Sequence, residues 1–340
     1  MTDRILIWGA GAIGGTLGAY WKRAGLDVTM VDVVAEHAKA CSTTGLAVSG
    51  PVEEFRQVVP TLTPDALQGP WPIIVLAVKA HATEAAVAML APHLAEGGYV
   101  LSAQNGLNEI AIARLLGAER TMGCFVNFGA DWLGPGEILY GNRGAVVVGE
   151  IEGPVRDRTR RMHERLRLFE PDAVLTDNIW GYLWGKLAYG AMLFATALTP
   201  DSMSANFADP ARTRAFVTLG REVLAVAQAR GVQPIGFPEF DVEAFLPGMS
   251  DARAEAAIAA LAVYTSKTAK THSGIYRDLA VRKRRTEVDP QIGIIATLGR
   301  EAGVATPAIE TLVALIHDIE DGKLPMSAET FAVLSGICEG

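Results

Sequence analysis

Residues 183–193 read LWGKLAYGAML, and Lys186 is the one charge between Asp177 and Asp201. Two readings fit a single lysine in so apolar a stretch. Its stem packs on the core while its head reaches water, or its ammonium is held at a reaction centre to move a proton. Near the start, GAGAIGG (9–15) places Gly9, Gly11 and Gly14 in G-x-G-x-x-G spacing around Ala12 and Ile13. The chemistry of that pattern is pyrophosphate binding. The first glycine makes a tight turn, the second admits the phosphates to the backbone, and the third lets a helix pack closely on a strand. The match lies after a strand-like run and opens a helix-like one, the context the motif requires.

Asp32 ends the next apolar run. A carboxylate there accepts hydrogen bonds from the adenosine ribose hydroxyls and repels a 2′-phosphate; capping a turn is its simpler role. Val33 and Val34 beside it carry no cation, and Arg23 and Lys39 fall in flanking helical segments. The pattern therefore favours NAD as cofactor, with NADP as the alternative. Lys79 in AVKAHAT and Asn105 in SAQNGLNE each follow an apolar run. Ligands of open α/β sheets bind outside the carboxyl ends of the strands. Equally, Lys79 suits a surface cation and Asn–Gly an ordinary turn.

These residues need elements to hold them. RILIW (4–8), DVTMVD (27–32), PIIVLAV (72–78) and GYVLSAQ (98–104) read as strands. TLGAYWKRAG (16–25) and TEAAVAMLAPHL (83–94) have helical spacing between them. Alternation of this kind, with continuously apolar strands, predicts a parallel sheet covered on both faces. GAVVVGE (144–150) reads as a strand completing it. Beyond PDAVLTDNIW (171–180) helical patterns take over, at 209–231, 252–270, 291–303 and 306–322. Asp209, Pro210 and Gly231 give the first of these a cap, a first-turn proline and a stop. The expected architecture is a Rossmann-type α/β domain over 1–176 and an all-α domain over 177–340.

Composition bounds the function. The chain has 340 residues, is 50% hydrophobic and 20% charged, and carries a formal net charge of −8. An acidic balance gives no electrostatic footprint for nucleic acid or an anionic membrane. The one basic run, VRKRRTEVD (281–289), ends in acids and reads as a solvated helix end. Three cysteines, Cys41, Cys124 and Cys338, show neither disulfide nor zinc spacing, so no metal is expected. No signal-like segment opens the chain and no clean apolar span interrupts it. A cytoplasmic enzyme with a small-molecule substrate is expected.

Taken together, GAGAIGG, VKAHAT, AQNGLNE, LWGKLAYG, SGIYRDLAVRKRRTEVD and GREAGVATPAIETLVALI resemble the ketopantoate reductase family in order and spacing over nearly the whole chain. The resemblance implies a helical domain related to that of 6-phosphogluconate dehydrogenases and an active site formed with the Rossmann-type domain. It implies hydride transfer between a nicotinamide cofactor and a 2-oxo acid, and by analogy a homodimer. Lys186 falls on the family's catalytic lysine, Glu287 on its acidic partner, Asn105 on its strand-end asparagine and Lys79 on its lysine near the cofactor. An ammonium beside the reacting oxygen can supply the proton that a new alkoxide takes up.

The departures concern substrate. One and two turns beyond the lysine the family usually carries substrate-binding asparagines; here stand Gly190 and Phe194. The family's serine before the acidic motif is displaced, with Ser273 present and Gly274 at the aligned place. One extra residue lies between Asp278 and Glu287, and Ile292–Gly293 replaces an asparagine–glycine. The arginine that often follows the second strand to hold an NADP phosphate is missing. Tyr189, His272, Tyr276 and Arg277 are candidate new contacts; Arg277 has the fork to clamp a carboxylate, while a surface ion pair and a packed histidine are the plainer roles for Arg277 and His272. Loss of paired polar contacts shifts substrate discrimination by orders of magnitude, so a 2-oxo/2-hydroxy acid or related hydroxy compound other than ketopantoate is the expected substrate, with an authentic 2-dehydropantoate 2-reductase whose pocket solves the binding differently as the alternative.

Overall fold

The computed structural model describes residues 4–238, 240–268 and 270–338. They divide into two compact units, Met1–Ile179 and Trp180–Gly340. The first unit carries strands β1 (Ile5–Trp8), β2 (Val28–Val31), β3 (Leu46–Ser49), β4 (Phe55–Gln57), β5 (Thr61–Leu62), β6 (Trp71–Leu76), β7 (Leu94–Ser102), β8 (Thr121–Val126), β9 (Gly129–Gly134), β10 (Glu137–Asn142), β11 (Val146–Glu150) and β12 (Val174–Leu175). Its helices are α1 (Ala12–Arg23), α2 (Ala35–Thr43), α3 (Thr83–Leu90), α4 (Asn108–Leu116) and α5 (Asp157–Arg167).

The main sheet runs β12-β11-β8-β7-β6-β1-β2-β5. Its centre is parallel, with Ile5 opposite Val28 on one side and Ile73 on the other. Successive residues of a strand face opposite sides. Ile5 and Ile7 accordingly enter one buried cluster, and Leu6 and Trp8 the other. This is why β1 reads as an unbroken apolar run: both of its faces are covered.

The sheet is not parallel throughout. β11 lies antiparallel to β8, with Val147 opposite Phe125. The chain between them forms the antiparallel pair β9–β10 rather than a crossover helix, and an antiparallel return needs no crossover. That pair belongs to a second sheet, β4-β3-β10-β9, which the sequence pattern did not predict. β9 reads GADWLG, poor in strand formers, and β10 pairs with the distant β3. No local periodicity marks such a sheet.

The helix after β1 begins at Ala12, one turn before the apolar spacing suggested. Its first turns are glycine-rich because there is no room for more. A Cβ at Gly15 would stand 2.5 Å from Ile138 Cδ1, and one at Gly18 2.5 Å from Met30 Sδ.

The second unit is helical: α6 (Ile179–Thr196), α7 (Met203–Ala208), α8 (Pro210–Ala229), α9 (Asp251–Ser266), α10 (Gly274–Tyr276), α11 (Ile294–Ala302), α12 (Pro307–Glu320) and α13 (Ala328–Cys338). Asp209 caps α8 by accepting from Ala211 N at 3.0 Å, and Pro210 follows at the first position. α9 ends at Ser266, short of the expected 270. Single π-helical turns occupy Arg277–Val281 and Asp289–Gly293. The architecture is a Rossmann-type α/β unit followed by an all-α unit. No helix among the described residues is long and apolar enough to cross a membrane.

Candidate active site

In the first unit the carboxyl ends of β7, β6, β1 and β2 lie side by side. The loop after β1 turns at Gly9, whose φ of +100° suits glycine. Its N–H donates to Val31 O at 2.8 Å. Ala10 N donates to Asp32 Oδ2 at 2.9 Å, and Val34 N to Asp32 Oδ1 at 2.9 Å. The carboxylate thus ties the glycine loop to the end of β2. A Cβ at Gly14 would collide with the Gly9 carbonyl oxygen and come within 3.0 Å of Ala77 Cβ. A Cβ at Gly11 would meet nothing within 4 Å. Open space over Gly11, before an α1 N-terminus with no side-chain cap, fits a phosphate group. Ala12 and Ile13 form the first turn beneath it, and the helix's first N–H groups have no partners within the helix.

Lys79 is exposed just past β6, and Asn105 is exposed just past β7. Behind Asn105 lies a buried polar relay that the sequence did not single out. Gln104 Nε2 donates to Val78 O at 2.9 Å and to Thr83 Oγ1 at 2.8 Å. Thr83 Oγ1 donates to Asn108 Oδ1 at 3.0 Å, and Asn108 Nδ2 to Asn105 O at 2.6 Å. The relay clamps the strand ends that carry Lys79 and Asn105 to each other.

In the second unit Lys186 lies in the middle of α6. From Gly181 to Thr196 the partly exposed residues are Tyr182, Lys186, Tyr189, Gly190 and Leu193; the others are buried. At 3.6 residues per turn these five form one stripe. Lys186 therefore emerges on the open face of an otherwise buried helix. A Cβ at Gly190 would meet nothing within 4 Å, so space lies one turn past the lysine. The Tyr189 ring packs 5.9 Å from Phe237 and 5.6 Å from Phe240. Phe194, expected to face substrate, is 1% exposed. It sits roughly 80° round the helix from Lys186, off the stripe, and packs as core.

Glu287 is buried in the segment between the two π-helical turns. Such turns are rare and concentrate at functional sites. The segment is pinned on both sides by residues that sequence reading passed over. Thr286 N and Oγ1 both donate to Glu320 Oε1 at 2.7 Å, and Arg285 pairs with Glu320 at 3.0 Å. Arg282 and Arg284 both reach Asp278 Oδ1, at 3.0 and 2.9 Å. Lys283 between them has a φ of +50°, a costly backbone for a side chain to hold. The arginines of the basic run are thus paired with acids outside it, Asp278 before the run and Glu320 on α12.

Ser273, 2% exposed, caps α10 by accepting from Tyr276 N at 3.2 Å. Arg277 is half-buried at the start of the first π-helical turn. His272 packs on the Tyr276 ring at 4.1 Å and its Nε2 lies 3.2 Å from Pro200 O. Its Nδ1 lies 2.9 Å from Thr271 Oγ1.

A glycine loop, an acid at the end of the second strand and an appended helical unit define a dinucleotide-binding protein of the Rossmann class. The family model described as Ketopantoate reductase PanE/ApbA matches residues 5–153, and that for its C-terminal part matches 178–320. The chain belongs to the ketopantoate reductase family. A curated 2-dehydropantoate 2-reductase from Archaeoglobus fulgidus is 29% identical, over 94% of this chain and 99% of that protein. A crystal structure of a PanE/ApbA family ketopantoate reductase from Ralstonia eutropha superposes with a TM-score of 0.77 at 26% identity, covering 94% of this chain and 99% of that one. D-mandelate dehydrogenase with NADH and anilino(oxo)acetate shares the fold, with a TM-score of 0.81 at 23% identity over 94% and 99% of the two chains. The protein is an NAD(P)-dependent oxidoreductase acting on CH–OH groups of a small-molecule substrate.

Proposed function

We propose that the protein is an NAD-preferring reductase or dehydrogenase of a 2-oxo/2-hydroxy acid, or a related hydroxy compound, other than ketopantoate. The observation that carries this is the open space at Gly190, one turn beyond Lys186 on the exposed stripe of α6. A side chain that would grip ketopantoate there is missing, and a bulkier substituent gains the room. Tyr189 and Arg277 are the further contacts, and Ser273 the capping residue that holds Arg277's turn.

A bound nicotinamide supplies or accepts the hydride. Lys186 gives a proton to the substrate oxygen on reduction and takes it back on oxidation. Glu287 is its acidic partner, and Asn105 positions the substrate oxygen or the nicotinamide. Gly9, Gly11, Ala12, Ile13 and Gly14 hold the pyrophosphate, with Lys79 beside it.

The preference for NAD rests on Asp32 and its surroundings. Val33 is 77% exposed and Val34 42%, so apolar side chains stand where a 2′-phosphate would need a cation. Arg23 is turned to Glu53 at 2.7 Å and stacks over Phe55. Fluorescence titration should give an NADH Kd at least about tenfold below that for NADPH; the reverse order would refute the preference.

The second reading is an authentic 2-dehydropantoate 2-reductase, favoured by the name of the Archaeoglobus fulgidus relative. Rescue of a pantothenate-requiring strain would support it. In either case the working form we propose is a cytoplasmic homodimer, for which the exposed Val333 and Ile337 of α13 offer apolar surface.

A further inference from the structure

His37 lies on α2 and is 1% exposed. Its Nε2 is 2.8 Å from Ala10 O, in the middle of the glycine loop. Its Nδ1 accepts from Gly136 N at 2.9 Å and from Trp132 Nε1 at 3.3 Å. A backbone N–H and an indole N–H can only donate. Nδ1 is therefore bare, and the ring proton sits on Nε2, given to Ala10 O. One imidazole thus joins α2, β9 with the turn that follows it, and the loop between β1 and α1.

Ala10 is in consequence held at both of its peptide groups. Its N–H is fixed by Asp32 Oδ2 at 2.9 Å and its carbonyl by His37. Rotation of either peptide unit would turn the N–H groups of the glycine loop away from a phosphate. Other roles for a buried histidine do not fit. Cys41 Sγ lies 3.7 Å from Nε2, but burial pushes its thiol up to about 11, so no thiolate is available for a nucleophilic pair. Among the described residues no group of three potential ligands could hold a metal ion.

We propose that His37 is a positioning residue for the cofactor: it fixes the conformation of the Gly9–Gly11 loop and so sets nicotinamide-nucleotide affinity without touching the reacting atoms. The small second sheet is then the abutment of the nucleotide site. The inference rests on cofactor binding, not on which cofactor or substrate is preferred. It is tested with whichever of NADH and NADPH binds more tightly.

His37→Leu removes both the donor and the acceptor. The expected result is a Kd raised about tenfold, with kcat at saturating cofactor within about threefold of wild type. His37→Gln restores one donor and one acceptor, and should recover most of the affinity. A folded His37→Leu that binds the cofactor as wild type does, or that loses kcat at unchanged Kd, overturns the proposal. If His37→Leu does not fold, the decision falls to the wild-type protein. Side-chain ¹⁵N signals of His37 should shift on titration with the nucleotide, and signals that do not respond to bound nucleotide overturn it.

Discussion

Replacing Lys186 by alanine is expected to lower kcat by about 10²–10⁴, the usual worth of a positioned acid–base group. Nicotinamide-nucleotide affinity should stay within about twofold, because the role proposed for the lost group is at the substrate oxygen and not at the nucleotide. The structure makes the substitution a clean one. Lys186 stands on the partly exposed stripe of α6 with Tyr182, Tyr189, Gly190 and Leu193, so its removal opens no cavity in the buried faces of the helix. Alanine is also the best helix former. Steady-state kinetics, a nucleotide titration and a thermal melt on the same variant check the three parts. A variant that folds, binds nucleotide and keeps kcat would remove Lys186 from the chemistry and return it to the role of a snorkelling surface lysine.

The second large effect divides two glycines of one motif, Gly11 in the loop and Gly14 in the first turn of α1. Gly14→Ala places a Cβ against the Gly9 carbonyl oxygen, 2.9 Å from Ile7 Cγ2 and 3.0 Å from Ala77 Cβ. Backbone and strand atoms have nowhere to go, so α1 must lift from the sheet. Overpacking of this kind costs about 1–3 kcal/mol, which lowers Tm by roughly 2–4 °C per kcal/mol in a unit of this size. Gly11→Ala puts its methyl into open space. Its melting temperature should match wild type, while nucleotide affinity falls, because the methyl enters the space proposed for the pyrophosphate. Melting curves and titrations of the pair check this. Equal melting temperatures for the two variants, or unimpaired nucleotide binding by Gly11→Ala, would contradict the assignment of roles within the motif.

What was legible in the sequence is what is local. The glycine loop could be read because strand, turn and helix follow one another within a few residues. The spacing of Lys186, Tyr189 and Gly190 could be read because a helix fixes their common face. The all-helical second unit showed through its caps and stops, such as Asp209 with Pro210 and Gly303 at φ +71°. What escaped depends on partners far along the chain. His37 sits in AEHAKAC with no pattern around it, and its meaning comes from Trp132 and Gly136 in a sheet of short, irregular strands. Glu320, which anchors the segment of Glu287, looks like one more acid at a helix end until Thr286 and Arg285 are seen to reach it. Phe194 departs from the sequence expectation for a different reason. Sequence spacing puts it on the lysine's side of α6, but the margin of a stripe is where core begins, and only burial decides that.

The substrate reading turns on Gly190 and the cofactor reading on Asp32, and a single comparison tests both together. It is kcat/KM for a panel of 2-oxo acids, ketopantoate among them, each reduced with NADH and with NADPH. The expected result is that NADH with an acid other than ketopantoate gives the highest value. If ketopantoate with NADPH exceeds every other pair, the chain is a ketopantoate reductase whose pocket grips its substrate without the asparagines, and the reading built on Gly190 is wrong.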